Sequence, residues 1–153
     1  SQLRLFEPHP EAVEILKDNL KLNGVNNVDI EEAAVSKNFG RGSLTKLKNK
    51  GHGAGSLYKN DSGNIVVTTL DQWSDRTIDL VKIDVEGGEL DVLLGGKNLL
   101  KNHRPHLLVE TSDERFCEIK YILTELDYEV GAVFPYFGIS NVHFSPKGKK
   151  GGR

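Results

Sequence analysis

Hydrophobic and polar positions along this chain form blocks that predict strands and helices in turn. Residues 3–6 predict a short strand, and the apolar residues that then recur at intervals of three and four predict a helix ending at Asn23-Gly24. Further strands are predicted at residues 28–35, 65–70, 78–85, 106–110, 128–134 and 141–145, with helices after Gly88 and Asp113. Strands alternating with helices are typical of a doubly wound α/β sheet with helices on both faces.

The stretch at residues 78–88 organises this pattern. It reads Ile-Asp-Leu-Val-Lys-Ile-Asp-Val-Glu-Gly-Gly, an apolar run typical of a strand buried on both faces, and it ends in Asp84, Glu86 and two glycines. In open α/β sheets, ligands bind at the carboxyl ends of the strands. A helix cap would explain one of these two acids, but it explains both less well.

The other segments give a less regular pattern. Residues 36–64 lose all periodicity and predict a long loop, and Leu70-Asp-Gln-Trp73 predicts a short helical turn. Asp113 is a candidate helix cap, and Cys117 fits a core position on that helix. The last two predicted strands are joined by too few residues for a crossover helix, so we expect them to be antiparallel.

Composition limits the classes of protein to which this chain can belong. The chain has 153 residues, 37% of them hydrophobic, which predicts one domain at residues 1–146 and a basic, flexible tail at residues 147–153. The formal net charge of −2 gives no reason to expect a nucleic-acid partner. One cysteine and the absence of a long apolar run predict a cytoplasmic protein without a membrane segment. The five histidines are scattered, so no metal site is predicted.

Acidic residues follow several predicted strands. Glu7, Asp84, Glu86 and Glu110 all fall near the carboxyl ends of strands, a pattern that indicates a site. Glu7 could accept hydrogen bonds from the ribose of a nucleotide cofactor, or it could be an acid favoured by the dipole at the start of the next helix. The glycines at residues 51–55 lack a preceding strand and a following helix, so we interpret them as a flexible loop.

Five segments carry a family resemblance: residues 6–10, 16–24, 68–71, 78–87 and 105–110. Their sequences, above all Lys-Ile-Asp-Val-Glu-Gly at residues 82–87, resemble the FkbM-type family of S-adenosylmethionine-dependent methyltransferases. The resemblance implies a Rossmann-like class I methyltransferase fold with strand order 3-2-1-4-5-7-6 and an antiparallel seventh strand. It implies S-adenosylmethionine as the cofactor, with Glu7 as its ribose ligand.

We therefore expect two sets of site residues. The expected cofactor-binding residues are Glu7, Pro8, Ala34 and Asp84. Asp84, Glu86 and Glu110 are expected to orient the acceptor or to act as general base, with His9 and His52 as weaker candidates for the base.

The first strand of the family's sheet and its glycine loop have no counterpart before Glu7. We therefore expect the chain to be a fragment of a longer enzyme. The expected activity of that enzyme is O-methylation of a small-molecule or sugar-like acceptor, and its oligomeric state is left open. A non-catalytic methyltransferase-like domain and a fragment of a nicotinamide-dependent oxidoreductase remain as alternatives.

Overall fold

A computed structural model describes residues 2–45, 57–75 and 77–148. Its contacts divide the chain into two compact units, Ser1–Thr69 and Leu70–Arg153, called here the N-terminal and the C-terminal unit. Residues 149–153 of the predicted tail and the glycines at residues 51–55 lie outside the described residues. Within the described ranges, no helix is both long and apolar enough to span a bilayer.

The N-terminal unit contains one helix and two small sheets. Its elements are β1 (Leu3–Phe6), α1 (Pro10–Leu22), β2 (Val28–Glu31), β3 (Ala33–Val35), β4 (Gly40–Leu44), β5 (Leu57–Lys59) and β6 (Ile65–Thr68). Strands β1 and β2 pair in parallel, while the second sheet has the order β3-β6-β4-β5 with β3 and β6 parallel and its other pairs antiparallel. Helix α1 ends as predicted, at Asn23 and at Gly24 with φ +66°.

Two parts of this unit differ from the sequence prediction. Residues 28–35 were expected to form one strand, but the chain divides at Glu32, and β2 and β3 join different sheets. Residues 36–64 were expected to form a loop, yet they contain β4 and β5. Gly40 and Gly42 hide β4 because they supply no side chain to the alternating pattern, and β5 has only three residues, too few to show one. A Cβ at Gly63 would lie 2.0 Å from the carbonyl oxygen of Gly42, so both residues sit where backbone approaches backbone.

The C-terminal unit is a four-stranded sheet with its helices. After a 3₁₀ turn at Leu70–Trp73 come β7 (Leu80–Ile83), α2 (Glu89–Leu94), α3 (Lys97–His103), β8 (His106–Ser112), α4 (Asp113–Glu125), β9 (Tyr128–Tyr136) and β10 (Ile139–Pro146). The strand order is β7-β8-β10-β9, in which β7 and β8 are parallel and the other pairs antiparallel. The predicted helical turn and the antiparallel final pair are both confirmed.

One face of this sheet carries the core of the unit. Apolar side chains from three strands are buried on that face together with side chains of the helices: Ile83, Leu107, Val109, Val142, Phe144, Leu99, Leu100, Ile119 and Leu123. On the opposite face the side chains of β8 and β10, among them Glu110 and Asn141, are only half-buried. Strand register therefore decides which side chains reach the accessible face.

Several local predictions for this unit were wrong. Leu80 is 61% exposed rather than buried, because it projects to the face opposite Ile83 on a strand that is terminal in its sheet. The helix after Gly88 breaks at Gly95 into α2 and α3. Asp113 does not cap α4 but is its first residue, after Ser112. Cys117 is exposed, since it lies off the buried stripe of α4.

Candidate functional site

Asp84 immediately follows β7, at the carboxyl end of that strand. Its Oδ2 accepts a hydrogen bond from Lys82 Nζ at 2.6 Å, and the two side chains are 43% and 49% exposed. Among the described residues this is the hydrogen bond that the Asp84 side chain makes, so Asp84 does not cap helix α2. Asp84 is thus an ion-paired carboxylate at the edge of the sheet where the sequence predicted a site.

The next residues form an unusual turn. Glu86 has φ +50° and Gly87 has φ +95°, two consecutive residues in the left-handed region. That conformation is unfavourable for a glutamate and persists only where surrounding contacts hold it. The turn leaves the Glu86 side chain exposed just beyond the end of β7.

Gly87 is held from both sides. Its N–H donates to Oε1 of Glu89 at 2.8 Å, and its carbonyl oxygen accepts a hydrogen bond from Nη1 of Arg115. Glu89 is 4% exposed and lies in the first turn of α2, where the helix dipole favours a negative charge. The sequence analysis did not identify these two residues. Glu89 could have been found as an acid just after a glycine pair, whereas Arg115 acts from α4 and gave no local signal.

Strand register brings Glu110 to the same edge as Asp84. The parallel pairing of β7 and β8 ends at Ile83 and Val109, and Asp84 and Glu110 directly follow that last pair. Glu110 is half-buried, lies two residues before the end of β8, and its Oε2 accepts a hydrogen bond from Nδ2 of Asn141 at 3.4 Å. Asn141 comes from β10 and was also missed, because only the pairing of β8 with β10 reveals it.

Glu7 occupies the corresponding position in the N-terminal unit. It follows β1, its N–H donates to the Glu31 carbonyl at 3.1 Å, and its Oε1 accepts the N–H of His9, the N-cap of α1, at 2.8 Å. The second interpretation of Glu7, as an acid at the start of the helix, therefore has a structural basis. Among the described residues, Oε2 of Glu7 makes no hydrogen bond, so the carboxylate can also bind a ligand.

The other two predicted cofactor-binding residues, Pro8 and Ala34, lie at positions that do not by themselves indicate a site. Pro8 is half-buried between Glu7 and the N-cap of α1. Ala34 is 6% exposed, in the middle of β3 and opposite Val67, so it lies in a different sheet from the strand that ends at Glu7. The structure thus groups Asp84, Glu86 and Glu110 at one edge of the C-terminal unit.

The histidines do not form a metal site in the described ranges. No group of three or more His, Cys, Asp or Glu side chains there could hold a metal ion. The sheet nevertheless brings two histidines together, with His106 Nδ1 3.0 Å from His143 Nε2. Pairing between β8 and β10 places them there, and their separation of 37 residues in sequence concealed the contact. His52 lies outside the described residues.

The known proteins that this chain resembles are all methyltransferases. The model of the methyltransferase FkbM domain matches residues 3–130. A curated relative, the 2-O-methyltransferase NoeI of Sinorhizobium fredii (strain NBRC 101917 / NGR234), is 30% identical over 88% of this chain, and the match covers 65% of that protein. The chain therefore spans slightly less than two-thirds of the length of this relative.

Two solved structures are similar in fold. Methyltransferase FkbM from Methylobacillus flagellatus KT matches 94% of this chain and 36% of its own, with a TM-score of 0.64 and 18% identity. Precorrin-6y C5,15-methyltransferase from Geobacter metallireducens GS-15 matches 96% of this chain and 68% of its own, with a TM-score of 0.53 and 14% identity. These likenesses confirm the predicted Rossmann-like methyltransferase fold.

Proposed function

Because this chain belongs to the FkbM family of methyltransferases, we propose that it carries the catalytic residues of an S-adenosylmethionine-dependent O-methyltransferase acting on a small-molecule or sugar-like acceptor. The observation that supports the site most directly is the placement of Asp84 and Glu110 side by side, just after the last pair of β7 and β8. The relative's activity as a 2-O-methyltransferase, given by its name, supports an oxygen as the methyl acceptor.

The residues at the strand ends fit the proposed cofactor. A ribose presents two hydroxyl donors, and a carboxylate with an oxygen that is not yet hydrogen-bonded accepts them well. Glu7 offers such an oxygen at the end of β1, while its other oxygen is held by the His9 amide. When bound, S-adenosylmethionine supplies an electrophilic methyl group on a sulfonium. Pro8 and Ala34 are the other cofactor-binding residues that we propose in the N-terminal unit, and Asp84 is a candidate cofactor-binding residue of the C-terminal unit.

Two tasks remain for the protein: to align the acceptor hydroxyl and to take up its proton. We assign the role of general base to Glu110. Asn141 orients Oε2 of Glu110, and Oε1 of Glu110 makes no hydrogen bond among the described residues. With S-adenosylmethionine bound, the acceptor oxygen would take the methyl group as the bond from methyl carbon to sulfur breaks and S-adenosylhomocysteine leaves, and the hydroxyl proton would pass to Glu110. Asp84, already engaged on one oxygen by Lys82, and Glu86, exposed on the adjacent turn, orient the acceptor.

Calorimetric titration of S-adenosylhomocysteine tests this proposal. It should be done with the 153-residue chain and with the complete product of its gene, with NADH as the comparison ligand. Binding of S-adenosylhomocysteine but not of NADH by the complete product supports the proposal. Failure of the complete product to bind S-adenosylhomocysteine contradicts it and favours a non-catalytic domain, while binding of NADH alone favours an oxidoreductase.

A further inference from the structure

Glu110 belongs to a row of side chains that crosses the C-terminal sheet on its accessible face. In the antiparallel pairing, Asn141 lies opposite Glu110 on one side and opposite Phe134 on the other. Directly paired residues project to the same face of a sheet, so all three side chains lie on the face away from the core. Tyr136, two residues after Phe134 and opposite Ile139, projects to this face as well.

The aromatic end of this row is exposed and lies next to a tight turn. Phe134 is 57% exposed and Tyr136 is 65% exposed. The ring of Tyr136 makes an edge contact with Phe137, with ring centroids 4.9 Å apart. Phe137 and Gly138 form a two-residue turn in which both φ angles are positive, 41° and 79°, the arrangement of a tight type I′ hairpin. Tight pairing therefore fixes the backbone positions of Phe134 and Tyr136 relative to Glu110.

We propose that Phe134 and Tyr136 form an aromatic platform that binds one sugar ring of a saccharide acceptor, next to the ring whose hydroxyl reaches Glu110. This inference rests on the proposed function. A sugar ring presents an apolar C–H face that packs on an aromatic ring, and hydroxyl groups that bind amides and carboxylates. The row offers these groups in that order, from Phe134 through Asn141 to Glu110.

The spacing sets the size of the ligand. Phe134 and Glu110 are separated by two strand spacings, or about 10 Å. A ligand that touches both ends is therefore longer than a single sugar ring. The ring on the platform is a neighbour of the methylated ring, so the platform selects the acceptor and does not touch the reacting oxygen.

Charge favours a neutral saccharide over a nucleotide. An exposed aromatic pair can also stack a nucleic-acid base, but binding of a phosphate requires nearby cations. Residues 128–146, which form the whole hairpin, contain no lysine or arginine. The neighbouring Glu110 would repel a phosphate. These features fit a ligand that offers hydroxyl groups and no charge.

The test compares Phe134→Ala and Tyr136→Ala with Tyr121→Ala in the complete gene product. Tyr121 is a matched control because it is an aromatic residue of the same unit, 67% exposed, but on helix α4. Saturation-transfer NMR with maltotriose, cellotriose and chitotriose identifies the trisaccharide that binds best, and titration gives its dissociation constant. We expect each platform variant to weaken binding about three- to tenfold and the control to leave it unchanged.

Kinetics adds a second criterion once a trisaccharide is methylated. The platform variants should raise KM for the acceptor by the same factor as its dissociation constant and leave kcat unchanged. Binding of none of the three trisaccharides by a protein that binds S-adenosylhomocysteine overturns the saccharide platform, but not the proposed methyltransferase. Equal trisaccharide binding by the platform variants and the wild type also overturns the saccharide platform. Saccharide binding without S-adenosylhomocysteine binding keeps the platform and contradicts the proposed function.

Discussion

Replacement of Glu7 separates the two roles that the structure allows for this residue. One carboxylate oxygen accepts the N–H of His9 at 2.8 Å, at the N-cap of α1, and the other is available to a ribose. Glu7→Ala removes both oxygens. Glu7→Gln keeps an oxygen that can accept the His9 amide, but it removes the charge.

The expected sizes of the two effects differ enough to be measured apart. A hydrogen bond of this kind contributes about 1 kcal/mol to stability, so Glu7→Ala should lower Tm by roughly 2–4 °C. Loss of one charge-assisted hydrogen bond to the ribose costs about 1.5–3 kcal/mol, or about 10- to 150-fold in the dissociation constant of S-adenosylhomocysteine. Glu7→Gln should therefore keep most of the thermal stability and still lose affinity.

The assays are differential scanning calorimetry and calorimetric titration with S-adenosylhomocysteine, both on the complete gene product. Glu11→Gln is the control, because it removes an acidic charge from the first turn of α1 without changing the end of β1. An unchanged dissociation constant in both Glu7 variants would refute the ribose assignment and leave Glu7 only its role at the helix start.

Four further predictions concern other contacts. Gly63→Ala should destabilise the protein by more than about 3 kcal/mol in urea unfolding, because its Cβ would lie 2.0 Å from the Gly42 carbonyl oxygen; a folded variant of unchanged stability would contradict that packing. Asp71→Ala should cost about 1 kcal/mol because its Oδ1 accepts a first-turn amide of α3 at 2.9 Å, and Asp71→Asn should restore most of it. Burial raises the pKa of Tyr128 from 10.0 to about 12, so the neutral phenol stabilises the fold below pH 10 and this contribution is lost as the pH rises to 12; Tyr128→Phe should flatten that alkaline decline, by about 1.4 kcal/mol per pH unit. Arg115→Ala should speed amide hydrogen exchange in the turn between β7 and α2, whereas equal exchange rates would show that the guanidinium does not hold that turn.

Local sequence patterns were sufficient to predict the elements whose apolar side chains alternate or recur at regular intervals. The end of α1, the turn at Leu70–Trp73 and the antiparallel pair of β9 and β10 followed from periodicity and linker length. Strands β4 and β5 did not, because glycines interrupt the alternation in β4 and because β5 has only three residues. Exposure of β7 was missed for another reason: an apolar run cannot show whether its strand is central or terminal in the sheet.

The same distinction applies to the candidate site. Glu7, Asp84, Glu86 and Glu110 could be found because each follows an apolar run in the sequence. The long-range contacts around them could not, since Arg115 reaches Gly87 across 28 residues and Asn141 reaches Glu110 across 31. Such contacts depend on strand register and helix placement, and neither is visible in a local window of sequence.

The two-residue turn between β9 and β10 has a consequence for which residues this hairpin can display. Side chains in a strand alternate between faces, so a register shift of one residue would turn Phe134 and Tyr136 towards the opposite side. The length of the loop at Phe137 and Gly138 thus determines which side chains of the hairpin lie on the same face as Glu110. A relative with an insertion at this turn can display a different pair of residues there, even if both strands keep their sequences.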